Sequence, residues 1–426
     1  MKLTEKYSVD RVPADARQPF FGIALVHMGM LTALDQFMLG AVLGHAMSYS
    51  DAFIAITVGS CIFFMATAGL GYAGMREGVS GSLLARWSGF GNNGSMLVGL
   101  VIAVSLLGWF GVQNSVFANA LDYASGHKLG FQTAAALSGL TLTLIVAFGF
   151  KALRLLAKIA VPTFAIGIIY SVTTLINGHN SGVVIAAPSA ANPLFLSDAI
   201  TMVVGGSIVA SLITPDLTRY YRNGRQVTLM TLLTILVGEY MVNGAAIVLA
   251  IMFNTADIVI IMSQAIGGVG LVVVVLSTMR INDINLYSSS LGIANAIQAF
   301  SGRRLPYVII TVTIGVLGTT LSIMGILDRF VDLLNLLGIL FPPIISVMLV
   351  DYFILKTDRA VLDDSRALNR LPLDSQTRKT GWKAIVASLV GALTGYYFTM
   401  GIPAINAIIA ASVAYLMLER FRSPCR

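Results

Sequence analysis

Twelve apolar runs, each long enough to cross a bilayer as a helix, leave this chain few folds to adopt. They fall near 20–46, 52–75, 95–121, 129–150, 153–177, 197–218, 227–253, 267–298, 307–327, 331–355, 382–401 and 403–420, and about 20 apolar residues suffice to span the hydrocarbon core. In lipid, every backbone N–H and C=O has to be paired within the protein, so such runs become helices. Hydrophobic residues make up 56% of the chain and charged residues 11%. That balance belongs to an all-α polytopic membrane protein rather than to two or three soluble domains.

Lysine and arginine test the count, because short cytoplasmic loops collect them. With both termini in the cytoplasm, 24 of the 27 fall in inner segments, the exceptions being Lys128, Arg329 and Arg280. Losing one span would scramble this alternation. The expected location is the cell inner (plasma) membrane, with cytoplasmic tails at 1–19 and 421–426. A cytoplasmic loop at 356–381, with charges of both signs, reads as a solvated connector. The pI near 9.4 does not mark a nucleic-acid partner, since the basic residues sit between apolar runs instead of along one face. Cys61 and Cys425 offer neither a disulfide framework nor metal spacing, and no cofactor or metal is expected.

Chemistry is concentrated in polar islands at membrane depth. Arg280 ends the apolar run from Gly267 to Met279 and opens the cluster Arg280, Asn282, Asp283, Asn285. An arginine at mid-bilayer costs at least about 2.5 to 3.5 kcal/mol, so a partner inside the protein is expected. The first span carries Gly29, Thr32, Asp35, Gln36 and Gly40, and the sixth carries Gly205, Gly206, Ser207 and Ser211 before Pro215. Small and polar residues at depth suit a discontinuous helix whose freed backbone binds a solute or ion; taken singly, each glycine reads equally as close packing. Glu239 in the seventh span reads as a buried hydrogen-bonded carboxyl or as a coupling group. Trp109 reads as core packing or as a stacking plate for a flat ligand. The histidines lack ligand spacing, and no P-loop or zinc motif occurs.

Several strings together resemble the nucleobase:cation symporter-1 family, most closely its bacterial cytosine permease branch. They are Ser82-Leu83-Leu84-Ala85-Arg86-Trp87-Ser88, Gly108-Trp109-Phe110-Gly111-Val112, Asp216 with Arg219-Tyr220 and Arg222-Asn223, Asn282-Asp283 with Leu286-Tyr287, Pro342-Pro343, and Asp351-Tyr352. The resemblance covers spans one to ten. It implies the leucine-transporter fold: inverted five-helix repeats over 20–177 and 197–355, discontinuous first and sixth helices, a midplane site, two additional helices over 382–420, and a monomer. It also implies a base stacked on Trp109 and hydrogen-bonded by Asn282, with Gln113 and Ser207 nearby. These roles suit the residues, since a flat ring needs an aromatic plate and an amide can meet a donor and an acceptor on one edge.

The departures from that pattern carry as much. Cytosine permeases place a glutamine where this chain has Leu106, and their sixth-span phenylalanine and serine correspond to Ser207 and Val209. Their sodium lies between first-span carbonyls, matching Gly29 and Thr32, and eighth-span threonines, matching Arg280 and Ile281. Both hydroxyl ligands are gone. A guanidinium there brings a fixed positive charge and five donors. Arg280 is therefore expected to replace the sodium ion, with Asp35 as counter-charge and with a proton through Asp35 or Glu239 as an alternative coupling ion. The expected function is a sodium-independent secondary active or facilitative transporter, working by alternating access, of a small planar nitrogen heterocycle such as a purine or pyrimidine nucleobase or a related compound. The alternatives are a sodium- or proton-coupled cytosine permease and, in another class, an ion channel, which would want a continuous polar stripe rather than islands at one depth.

Overall fold

The computed structural model describes residues 10–148, 162–170, 173, 194–303, 305–398 and 400–420. Most of the expected fifth helix at 153–177, the loop after it and the outermost parts of both tails lie outside the described residues; 162–170 is helical. The described residues contain helices and no strand.

In chain order the helices are α1 Phe20–Leu31, α2 Leu34–Ala46, α3 Tyr49–Glu77, α4 Gly81–Ala124, α5 Phe131–Phe148, α6 Leu196–Thr218 and α7 Gly224–Phe253. They continue as α8 Ile258–Ile266, α9 Gly268–Ser301, α10 Tyr307–Ile323, α11 Ile326–Leu355, α12 Arg359–Ala367, α13 Trp382–Tyr397 and α14 Pro403–Arg420. Among the described residues six helices (α3, α4, α6, α7, α9 and α11) are long and apolar enough to cross a membrane. The bent pair α1 and α2 makes a seventh when counted as one span, and α5 and α10 are shorter apolar helices. Large apolar side chains such as Phe21, Met65, Leu140, Met241 and Val316 are exposed, which in this setting is a lipid-facing surface.

The first span is broken as expected. α1 and α2 meet at 44°, and Thr32 (φ −98°, ψ 47°) and Ala33 (φ −117°, ψ 169°) leave the helical region between them. The sixth is not broken: α6 runs without interruption from Leu196 to Thr218, with Pro215 inside it. Its small residues serve packing instead. A Cβ on Gly205 would lie 1.8 Å from the Leu334 carbonyl oxygen of α11, and one on Gly338 would lie 2.2 Å from the Thr201 carbonyl oxygen of α6. The two backbones touch through reciprocal glycines, a common membrane helix contact. Ser207 and Thr214 turn their hydroxyls back to Val203 O (3.0 Å) and Ala210 O (2.8 Å), which pairs their polarity within the helix.

The 356–381 loop keeps many exposed residues but is also docked at several buried points. Glu77, at the end of α3, is fully buried and receives Arg366 at 3.0 Å, Arg11 and Arg359 at 3.4 Å each, Arg76 at 3.7 Å and the Tyr352 hydroxyl at 2.7 Å. Arg11 also donates to the Glu77 carbonyl. The loop thus closes one end of the bundle because a single carboxylate attracts arginines from three segments. Trp87, expected as an interface anchor, donates from Nε1 to Thr377 Oγ1 at 3.0 Å in the same region.

Candidate functional site

The break in the first span opens onto a cavity of about 320 Å³, within the size range of small-ligand sites. Eight of the twelve expected site residues line it: Gly29, Thr32 and Asp35 beside the break, Leu106 and Trp109 on α4, Val209 on α6, and Arg280 and Ile281 on α9. α9 packs along α4, and α7 packs against α2, so the cavity is bounded by the broken span and the helices that brace it.

Trp109 is 6% exposed and stands edge to face against Phe330, with ring centroids 6.0 Å apart. One side of its indole remains on the cavity. The other walls are largely apolar: Leu106, Phe164, Val209, Ala210 and Ile213. Polar groups converge from α9, where Ser277, Arg280 and Asn285 share the lining.

Arg280 Nη1 lies 3.0 Å from Asp283 Oδ1, one turn along the same helix. The expected pair with Asp35 is not formed. A partner three residues away is held by the helix itself, whereas Asp35 accepts from the Gln36 backbone N–H at 3.0 Å. Arg280 Nε and Ser277 Oγ are buried without a hydrogen-bond partner, and both residues line the cavity.

Four expected residues stand back from the lining. Asn282 is fully buried and donates from Nδ2 to the Phe110 carbonyl at 3.3 Å. Its neighbour Asn285 donates to Asn282 Oδ1 at 3.4 Å and reaches the cavity in its place. Gln113, one turn after Trp109, meets Met38 Sδ at 4.0 Å from Nε2 and leaves Oε1 buried and unpaired. Ser207 bonds within α6. Glu239 is fully buried and accepts from Asn243 Nδ2 at 2.9 Å. His27 is satisfied between Thr234 (2.8 Å) and Thr214 (2.9 Å).

Asn285 and Ser277 were not among the expected site residues. Their signal was the helical spacing 277, 281, 285, which puts three side chains on the face that also carries Arg280.

A second cleft of about 250 Å³ lies further along the same helices, lined by Met38, Val42, Val116, Asn119, Asp257 and Phe330 among others. A helical membrane bundle with an interior cavity beneath a broken helix, and a second cleft separated from it by packed side chains, is built as a transporter rather than as an enzyme.

Comparison with known proteins agrees. Residues 17–418 match the family model for permeases for cytosine/purines, uracil, thiamine and allantoin, and the chain belongs to that family. It is 31% identical over 422 residues to a cytosine permease of Escherichia coli K12, covering 98% of this chain and 95% of that one. To a hydantoin permease of Microbacterium maritypicum it is 24% identical over 432 residues, covering 94% and 86%. The fold is similar to the inward-facing conformation of Mhp1, at a TM-score of 0.74 and 18% identity over 97% of this chain and 95% of that one. A closed Mhp1 with bromovinylhydantoin bound, described as a nucleobase-cation-symport-1 family transporter, gives 0.70 at 20% identity with the same coverage.

Proposed function

We propose that the protein carries a small planar nitrogen heterocycle, a purine or pyrimidine nucleobase or a relative, across the bacterial inner membrane by alternating access and without sodium. The observation that carries the reading is the shared lining of one cavity by Trp109, by Gly29 and Thr32 at the helix break, and by Arg280. Trp109 supplies the stacking plate and Asn285, backed by Asn282, the amide. Arg280 supplies a permanent positive charge where a coupling ion is otherwise bound, with Asp283 fixing its guanidinium. The chain acts as a monomer of twelve spans with two inverted repeats and cytoplasmic termini.

Leu106 and Val209 narrow the substrate. A ring edge with polar groups facing these two side chains would lose about 1 to 3 kcal/mol for each group left unmet. The heterocycle carried therefore presents C–H or alkyl substituents on that edge. The two relatives, named for cytosine and hydantoin, bracket the size of ring.

The test is uptake and counterflow of labelled heterocycles in proteoliposomes with sodium replaced by choline. Unchanged uptake supports the reading, and a clear sodium requirement removes Arg280 from the ion's place. Counterflow separates a carrier from a channel, because only a carrier exchanges bound solute.

A further inference from the structure

We propose that Glu239 is a proton-binding site, linked to the hinge of the broken span, through which heterocycle movement is coupled to the proton gradient. The proposal rests on the carrier reading above and adds its driving ion.

Glu239 lies in a π-helical stretch, Ile235–Val242, inside α7. Such widened turns are rare and occur frequently at functional sites. The stretch is pressed against the helix break: a Cβ on Gly238 would stand 2.5 Å from Leu31 Cβ, at the last residue of α1. Only a glycine lets the two backbones approach this closely.

From there a side-chain bridge crosses three helices. Asn243 Nδ2 donates both to Glu239 Oε2 at 2.9 Å and to Gln36 Oε1 at 3.1 Å on α2. Gln36 Nε2 donates in turn to the Gly206 carbonyl of α6 at 3.3 Å. The carboxyl is thereby tied to the half-helix after the break and to the helix whose residues Gly206, Val209 and Ile213 line the cavity.

The bridge lacks one hydrogen. Glu239 Oε1 and Asn243 Oδ1 are both buried and without a partner, and the carboxyl has no lysine or arginine within 4 Å among the described residues. A carboxylate in such surroundings is expensive, and an unmet acceptor adds to the cost. A proton on Oε1 removes the charge and turns that atom into a donor. The nearby hydroxyl on α6, Ser207, gives its hydrogen to Val203 O at 3.0 Å.

The π-helical stretch packs against α1, α2, α3 and the rest of α7. α1 brings His27, held between two threonine hydroxyls; α3 brings Thr57, which accepts from the Tyr240 hydroxyl at 3.1 Å; α2 brings a second carboxyl, Asp35. Asp35 lines the cavity and Glu239 does not. In this scheme the two carboxyls share one proton, since a negative charge on one disfavours a negative charge on the other. The proton enters from the cavity at Asp35 and is held at Glu239, and its arrival changes the charge next to the hinge. One proton bound and one released per cycle keeps the account balanced.

The experiment uses the full chain, wild type and Glu239→Gln, in sodium-free proteoliposomes with labelled cytosine, adenine, uracil and hydantoin. The reading is the ratio of uptake with an inward proton gradient to uptake without one, whatever the absolute rate of each variant. Wild type is expected to give a ratio of several-fold with acidification of the lumen, Glu239→Gln a ratio near one, and Glu239→Asp a ratio restored above one. A gradient-independent ratio in wild type alongside active counterflow overturns the proposal, as does an undiminished ratio in Glu239→Gln. Failure of counterflow with all four probes instead counts against the carrier reading. Infrared difference spectra of wild type and Glu239→Gln decide the proton site even then: a protonated buried carboxyl band at neutral pH, lost in the variant, supports it, and no such band overturns it.

Discussion

Trp109 and Phe330 meet edge to face, with ring centroids 6.0 Å apart and planes at 73°, and each faces a different cavity. Trp109 lines the cavity at the helix break, and Phe330 lines the second cleft near Asp257 and Asp328. Their contact therefore lies between the two cavities. Edge-to-face pairs contribute about 0.5 to 1.5 kcal/mol beyond area burial, small enough for the proposed alternating access to break and remake.

Truncating the two rings separates binding from gating. Trp109→Ala removes the stacking plate and is expected to weaken heterocycle binding at least tenfold, measured by the ligand concentration needed for thermal stabilisation. Phe330→Ala is expected to change affinity less and to open the second cleft. A cysteine at Asn119, which lines that cleft, would then react faster with a membrane-impermeant maleimide in a background of Cys61→Ser and Cys425→Ser. Equal labelling with and without Phe330 would show that the partition lies elsewhere.

Leu106 and Val209 set the second prediction. Both are 8% exposed and present hydrocarbon to the cavity. Leu106→Gln combined with Val209→Ser supplies the missing hydrogen-bonding groups, and one net hydrogen bond of about 1 kcal/mol is several-fold in affinity. The double variant is expected to favour ligands with a polar edge, cytosine over a ring alkylated on that edge. Competition binding measures the ratio; an unchanged preference would place the specificity edge against another wall.

Much of this architecture could be read from the residues. Arg280, Asp35 and Trp109 stand out as charged or aromatic residues within apolar runs, Ile281 through the family resemblance, and the structure gathers all four in one cavity. Depth does not specify direction around a helix. Asn282 and Asn285 are equally polar and one turn apart, and only the packing of α9 on α4 decides that Asn282 meets the Phe110 carbonyl while Asn285 faces the cavity. The same holds for Gly205 and Gly206: a glycine pair weakens a helix and also lets another backbone approach, and the Leu334 carbonyl on α11 selects the second use. The docked loop was illegible because Glu77 looks like any helix-terminal acid until Arg11, Arg359 and Arg366 converge on it.

That convergence makes Glu77 the most consequential single charge at its end of the bundle. Glu77→Gln leaves several guanidinium groups facing one another without their shared carboxylate, and breaking a buried pair costs about 3 to 5 kcal/mol. Arg76, whose side chain is 34% exposed, is expected to matter less, with Arg76→Ala costing under about 1 kcal/mol. Unfolding in detergent, followed by the midpoint of a denaturant titration, should rank the two variants widely apart. Closely similar midpoints would mean that the 356–381 loop is held by its apolar contacts, such as buried Leu362, and not by the ion cluster.

The pair of Arg280 and Asp283 yields the last prediction. Asp283 is 7% exposed at its side chain and Arg280 28%, so the coupling between them should fall between an exposed pair, up to about 1 kcal/mol, and a buried one, about 3 to 5 kcal/mol. Arg280→Ala alone is expected to destabilise the protein and abolish transport. Adding Asp283→Ala should recover stability but not transport, because the positive charge in the cavity that Gly29 and Thr32 also line remains absent. Arg280→Thr with Ile281→Thr is the complementary change: two hydroxyls return to the lining of that cavity, and heterocycle uptake should become dependent on sodium. Uptake that stays indifferent to sodium in this variant, while the fold is retained by thermal unfolding, would assign Arg280 a packing role with Asp283 and leave the ion's place at the helix break without a substitute.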